Sequence, residues 1–237
     1  MAVFSYHLAE LPPLATARAL VRPPTSASTP GLRHVECMAL MRLGAPVLSP
    51  SRLQLRRMAM FAYWDDEAAI DKFLAGDDLG QRLAGGWHVR MTFLRRWGSL
   101  AALPDLPRRD GDWSRDEPVV AVTVARMKFP QLPRFIHWGR PVERLVRDDP
   151  HTTIAHAAIH PPRTVSTFSI WNSVEAMEAM VRGRSPVADP ERHATAMEER
   201  TRKDFHHEFT TLRFRPRSEH GTWLGRTNLL PSPTPAE

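Results

Sequence analysis

The 237 residues include one cysteine, Cys37, so neither an internal disulfide nor a cysteine-based zinc knuckle can form. A reducing compartment suits that usage. No apolar run approaches the ~18 residues that a membrane-spanning helix needs. The opening MAVFSYHLAELPPL lacks a basic leader followed by a long apolar stretch, so it does not read as a signal peptide. A soluble cytoplasmic protein is the expectation. Familiar catalytic signatures are also missing. There is no Gly-rich phosphate loop, no dinucleotide fingerprint, no serine nucleophile elbow and no HExxH. The acidic runs Asp65-Asp66-Glu67, Asp77-Asp78 and Asp148-Asp149 fall at helix starts and ends, where caps and turns account for them. No carboxylate pair for general acid–base work stands out. The charge excess is modest, 32 Lys+Arg against 26 Asp+Glu, and the arginines are spread along the chain. A nucleic-acid binder concentrates such charge in a stripe interleaved with aromatics, so no nucleic-acid partner is expected.

What the chain does contain is an internal repeat. Phe61-Ala-Tyr-Trp64 followed by an acidic cap and a helix start matches Phe168-Ser-Ile-Trp171 followed by Asn172-Ser173. Trp87 to Phe93 matches Phe205 to Leu212, and the opening strands Ala2–Tyr6 and Val119–Thr123 match as well. Helical segments follow those opening strands, over Leu11–Arg22 and Pro130–Arg147; second strands follow over His34–Leu40 and Thr152–Ile159. Each half reads β-α-β-β-α-β, the ferredoxin-like order. One such unit leaves a sheet face bare, and two copies bury those faces against each other. The expected fold is α+β: two tandem ferredoxin-like repeats forming an intrachain dimeric α/β barrel around a hydrophobic cavity. Residues 1–98 form the first half, 99–117 a polar Pro-containing linker, 118–217 the second half, and 218–237 a disordered tail. Because the duplication completes the barrel within one chain, a homo-oligomer is compatible with the fold but not required.

The halves differ most after the repeat tryptophans. The second carries additional residues, roughly Gly183 to His193, before a helix expected over Pro190–Lys203 with Asp189 as its N-cap. On that helix His193, Met197 and Thr201 or Arg200 share a face. A histidine on the inward, apolar side of a helix can coordinate haem iron through Nε2, although a half-buried core histidine gives the same pattern. His206 and His207 are adjacent on a strand, so only one of them can line a cavity. His156 and His160 share a strand face about 13 Å apart, too far to bind one metal ion.

The ordered set of motifs resembles the spheroidene monooxygenase family of carotenoid-type oxygenases. Carrying the resemblance are Gly31-Leu-Arg33 with the strand to Leu43-Gly44, Arg57 to Trp64, Trp87-His-Val-Arg90 and Arg96-Trp-Gly98. So are Phe135 to Arg147, Arg163 to Trp171, His193-Ala-x-Ala-Met197 and Lys203-Asp-Phe-His-His-Glu-Phe209. Together they span most of residues 1–216; His206-His207 departs from the aromatic and polar pair expected there. The resemblance implies a haem b-dependent monooxygenase acting on a hydrophobic small molecule, a carotenoid or secondary metabolite. Oxygen or peroxide would be the co-substrate, with an external electron donor compatible. It makes His193 the metal ligand, flanked by Met197, with Arg90 towards the propionates. Trp171, Arg163 and His156 are the candidate catalytic groups on the other side. Chlorite dismutases and aldoxime dehydratases, similar paired-ferredoxin haem proteins, point to the same helix by analogy. A cofactor-free monooxygenase of the same barrel, a haem-dependent dehydratase or lyase, and a non-catalytic ligand binder are the alternatives.

Overall fold

Alternating apolar residues between turn-forming ones give eight strands, which a computed structural model closes into one antiparallel barrel. The structure describes residues 2–45, 49 and 52–231. The first half runs β1 (Val3–Glu10), α1 (Pro13–Val21), β2 (Leu32–Met41), β3 (Leu53–Trp64), α2 (Glu67–Gly76), α3 (Asp78–Ala84) and β4 (Trp87–Ser99). The second runs β5 (Val119–Met127), α4 (Leu132–Asp148), β6 (Thr152–His160), β7 (Thr164–Trp171), α5 (Val174–Val181), α6 (Arg192–Arg202) and β8 (His206–Gly221). Around the barrel the order is β1-β3-β2-β6-β7-β5-β8-β4. Each half is therefore a four-stranded sheet in ferredoxin order, and the seams between halves are β2–β6 and β4–β8.

The repeat holds to the residue at the tryptophans, but two strand matches shift: pairing makes Val3, not Ala2, the counterpart of Val119, and Met91 the counterpart of Phe214, so Trp87 does not correspond to Phe205. Val3 pairs with Trp64, and Val119 pairs with Trp171. Two positions beyond each tryptophan a side chain caps the next helix. Asp66 accepts from the Ala69 amide at 2.9 Å, and Ser173 accepts from the Ala176 amide at 3.1 Å.

The barrel interior is filled. Tyr6, Leu8, Phe61, Trp87, Val122, Phe168, Ile170 and Phe214 are fully buried there. Tyr6 stacks on Phe168 across the two halves with ring centroids 3.9 Å apart. The expected cavity inside the barrel is thus corrected, because large aromatic side chains from both sheets occupy that volume. Two neighbouring expectations are corrected with it. Leu100, Leu103 and Leu106 of the 99–117 linker, and Trp223 and Leu229 of the segment expected to be disordered, join the same apolar cluster. Isolated apolar residues produce no periodicity, yet each finds a place in a core. Positions 232–237 of that tail, and most of the 44–52 connection, lie outside the described residues.

Outside the barrel the halves diverge. In the first, Met58, Met60, Ala62 and Trp64 pack directly under Ile70, Phe73 and Leu83. The α2–α3 junction is tight: Asp77 caps α3, and a Cβ on Gly80 would lie 1.9 Å from the Phe73 carbonyl oxygen. In the second, residues 182–191 separate α5 from α6, and α4 has 17 residues against nine in α1. The second set of helices therefore spans its sheet without closing onto it. Helix α6 begins at Arg192 instead of Pro190, because Asp189 adopts a positive φ of 54° and does not cap it. Among the described residues no helix is long and apolar enough to cross a membrane.

A histidine column sits on the closed half. Trp64 Nε1 donates to Ser5 Oγ at 2.8 Å, and Ser5 Oγ and His7 Nε2 share a hydrogen bond of the same length. The His7, His88 and His220 rings stack in turn, 4.9 and 4.7 Å apart. Burial, reinforced by neighbouring cations, holds His7 well below the usual imidazole range and brings His88 down to about 4. Burial and the charges of Arg57 and Arg226 likewise bring His156 to about 4. Such groups bind protons more readily when unfolded. Stability is therefore complete above about pH 6.5 and declines as pH falls towards 4, by up to about 1.4 kcal/mol per unit for each histidine. Urea unfolding at pH 7, 5.5 and 4.5 checks this. His88→Gln should flatten the decline, and a wild-type profile flat across that window would contradict it.

Candidate functional site

The unclosed half leaves a cavity of about 510 Å³ between the outer face of its sheet and its helices. That volume is typical of small-molecule sites. Its two sides differ in chemistry. The sheet supplies Thr123 from β5, Thr167 and Ser169 from β7, and Thr211 and Arg213 from β8, all on the face opposite the barrel core. The helices supply Phe135, Trp138 and Val142 from α4, Met177 and Met180 from α5, and Ala196 and Met197 from α6. A polar floor faces an apolar roof.

His193 enters from the roof. Its Nδ1 donates to the Val181 carbonyl at 3.2 Å, which fixes the tautomer and leaves Nε2 with its lone pair. Burial lowers its pKa, the Val181 bond opposes that, and the Arg213 charge adds to the lowering. The ring is accordingly neutral at pH 7. His193 Nε2 has no hydrogen-bond partner among the described residues and, unlike the sealed nitrogens nearby, remains accessible from the cavity. Met197, one turn on, lines the cavity beside it as the helical spacing predicts.

The other expected site residues are distributed differently. Trp171 borders the cavity, but its Nε1 donates to Ser169 Oγ at 2.8 Å, as Trp64 donates to Ser5 in the closed half. Its polar atom is committed, as that of Trp64 is, although the accepting serine lies on its own strand here and on the neighbouring strand there. His156 is opposite Phe168 on the barrel side of β6, edge-on to Trp223 at 5.6 Å, with Nε2 buried and unpartnered. The ring thus faces the barrel interior, where aromatic side chains fill the expected cavity, although the residue also borders the helix–sheet cavity. Arg163 is exposed in the β6–β7 turn and outside the cavity lining. Arg90 belongs to the closed half, where it is ion-paired with Glu67 at 3.3 Å and with Asp71. It cannot serve this cavity.

Of the adjacent histidines, His206 lines the cavity and His207 is exposed. His206 Nδ1 donates to Asp204 Oδ1 at 2.9 Å, and its Nε2 is sealed from the cavity and unpartnered. Burial outweighs Asp204 and lowers its pKa. Sequence reasoning missed Arg213 and Trp97 as cavity residues. Strand alternation from Leu212 carries the signal for Arg213. Among the described residues no three His, Cys, Asp or Glu side chains gather closely enough to hold a metal ion. A lone accessible imidazole suits a metal whose remaining ligands arrive with it, as in a metalloporphyrin.

Fold and cavity together define a paired-ferredoxin α+β barrel with a ligand-sized site in its second half. No family model matches the chain. The spheroidene monooxygenase of Rubrivivax gelatinosus is 28% identical over 210 residues, covering 83% of this chain and 73% of that protein. The spheroidene monooxygenase of Rhodobacter capsulatus is 31% identical over 136 residues, 56% of this chain, and the match spans about half of that protein's length, 52%. The chain is distantly homologous to spheroidene monooxygenase over most of its length. Among solved structures, an aldoxime dehydratase in complex with butyraldoxime aligns with a TM-score of 0.48 and 9% identity, over 96% of this chain and 85% of that one. A monooxygenase-like protein of Listeria innocua aligns with a TM-score of 0.30 and 9% identity, over 92% and 95%.

Proposed function

We propose that the chain is a haem-dependent monooxygenase-like oxidoreductase whose reaction takes place in the cavity of the second half, on a hydrophobic small molecule such as a carotenoid or secondary metabolite. The observation that carries this is His193: a neutral imidazole with its tautomer fixed by Val181 and its Nε2 open to a 510 Å³ cavity. His156 and His206 also border the cavity, but their Nε2 atoms are sealed. His193 would hold the iron, with Ala196 and Met197 forming the wall around it. Bound haem supplies oxidation by dioxygen or peroxide. The chain's own residues would supply the setting. The roof of Phe135, Trp138 and the methionines would exclude water and receive an apolar substrate, while the hydrogen-bonded Thr123–Thr211 hydroxyl pair, 3.3 Å apart, would offer a hydrogen-bond donor on the opposite side. Homology to enzymes named as monooxygenases of spheroidene supports oxidation of an apolar molecule.

The test is spectroscopic. Chain purified after expression with ample haem should show a Soret band at one haem per chain. No band at any haemin stoichiometry would contradict the proposal and leave cofactor-free oxygenation, tested by dioxygen consumption with an acidic polycyclic phenol.

A further inference from the structure

We infer that Arg213 is a carboxylate anchor: the cavity takes an amphiphilic ligand whose carboxylate meets this guanidinium while its apolar body lies beneath α4, α5 and α6. Three arginines line the cavity, and two are already engaged. Arg182 pairs with Glu178 at 2.8 Å; Arg200 reaches Asp204 at 3.8 Å and lies 3.7 Å over the Phe209 ring. Arg213 pairs with no carboxylate among the described residues. Its Nε is buried without a hydrogen-bond partner, and its Cζ lies 5.4 Å from the Trp97 ring centroid. The carboxylates that border the cavity are taken, Glu178 by Arg182 and Glu143 by Arg52 at 2.6 Å.

Glu178, already paired with Arg182, acts on Arg213 only through space, and a largely buried cation with no bonded carboxylate is costly, so the fold carries an incompletely met demand for negative charge. Burial draws the Arg213 pKa down to about 10, which still leaves it charged at neutral pH. The planar fork of a guanidinium matches a carboxylate through two parallel hydrogen bonds. Thr211 and Thr123 stand beside it on the same sheet face and extend the row of donors. The opposite side is mainly apolar, interrupted by His193 and by the ion-paired Glu143, Glu178, Arg182 and Arg200. This arrangement selects a molecule with one acidic end and an apolar body. Porphyrin propionates and an acidic substrate present the same carboxylate chemistry. Like the preceding reading, the inference requires this cavity to be the ligand site, but it does not require iron.

Tryptophan-quenching titrations of the full chain at pH 7 test it with two probe pairs: metal-free protoporphyrin IX against its dimethyl ester, and retinoate against methyl retinoate. Wild type should bind the acid at least about tenfold more tightly than the ester in one pair or both. Preference in the porphyrin pair alone identifies propionates as the source, and preference in the retinoid pair alone identifies an acidic substrate. Arg213→Met should remove the preference by weakening the acid and not the ester, whereas Arg213→Lys should keep part of it. Equal acid and ester affinities in wild type overturn the inference, as does failure of all four probes to bind. An undiminished preference in Arg213→Met overturns it too. The wild-type comparison needs no variant, so misfolding of a mutant cannot obscure the outcome. Because the probes lack iron, His193→Ala should leave the acid preference intact, and a wrong iron ligand is thereby distinguished from a wrong anchor.

Discussion

His193→Gly is expected to lose the Soret band of the haem-loaded chain, and millimolar imidazole is expected to restore it. The side chain's Nε2 has no hydrogen-bond partner among the described residues and Nδ1 makes a single bond to the Val181 carbonyl, so its removal takes little from the fold. On the proposed reading it removes the iron's protein ligand, since His206 and His156, the other histidines among the described cavity residues, have sealed Nε2 atoms. Substituting groups one shell further out already costs metal sites about 10–100-fold in affinity, so loss of the ligand should exceed that range. His156→Ala and His206→Ala are the controls. Their Nε2 atoms are sealed, and the band should survive both substitutions. Difference spectra at graded haemin concentrations decide it. An unchanged band in His193→Gly, or its loss in His206→Ala alone, would assign the ligand elsewhere.

Phe214→Ala should destabilise the chain by about 3–5 kcal/mol, the cost of a large buried aromatic in a close-packed core. Phe214 is fully buried in the barrel, 4.9 Å from Phe4 and 5.9 Å from Phe61 between ring centroids. No side chain there can relax into the vacated space without opening a cavity elsewhere. Phe135→Ala should behave differently. Phe135 borders open volume on the roof and meets Phe205 and His206 only edge-on, so less than half that loss is expected, together with weaker binding of apolar ligands. Chemical denaturation of both variants measures the contrast. Similar losses in the two would mean that open space lies within the barrel after all.

The fold was legible because a duplicated pattern states its register twice. Phe61 to Trp64 and Phe168 to Trp171 are matched in sequence, and in three dimensions each tryptophan closes the same strand pair. The additional residues before His193 also marked where the halves would differ: they separate α5 from α6 along the chain and bring His193 back against the Val181 carbonyl at the end of α5. The location of the cavity was not legible. Strand alternation shows that Phe61, Phe168 and Phe214 share a face, but whether their volumes fill the barrel depends on partners more than a hundred residues away. His156 illustrates this: it faces the barrel interior as a cavity there would require, but that volume is filled and its ring meets Trp223 instead. Arg163 and Arg90 sit near the right motifs on the wrong surfaces. Arg213 escaped notice because lacking a counter-ion is a property of its surroundings. Trp223 and Leu229 escaped because single apolar residues carry no period.

The central claim is that ligand binds between the second sheet and its helices, with iron at His193. An anomalous difference map at the iron edge, from crystals of the haemin-loaded chain, tests it most directly. The account predicts one peak in the helix–sheet cavity, adjacent to His193 Nε2. A peak beside His206, on the closed half or within the barrel would contradict it.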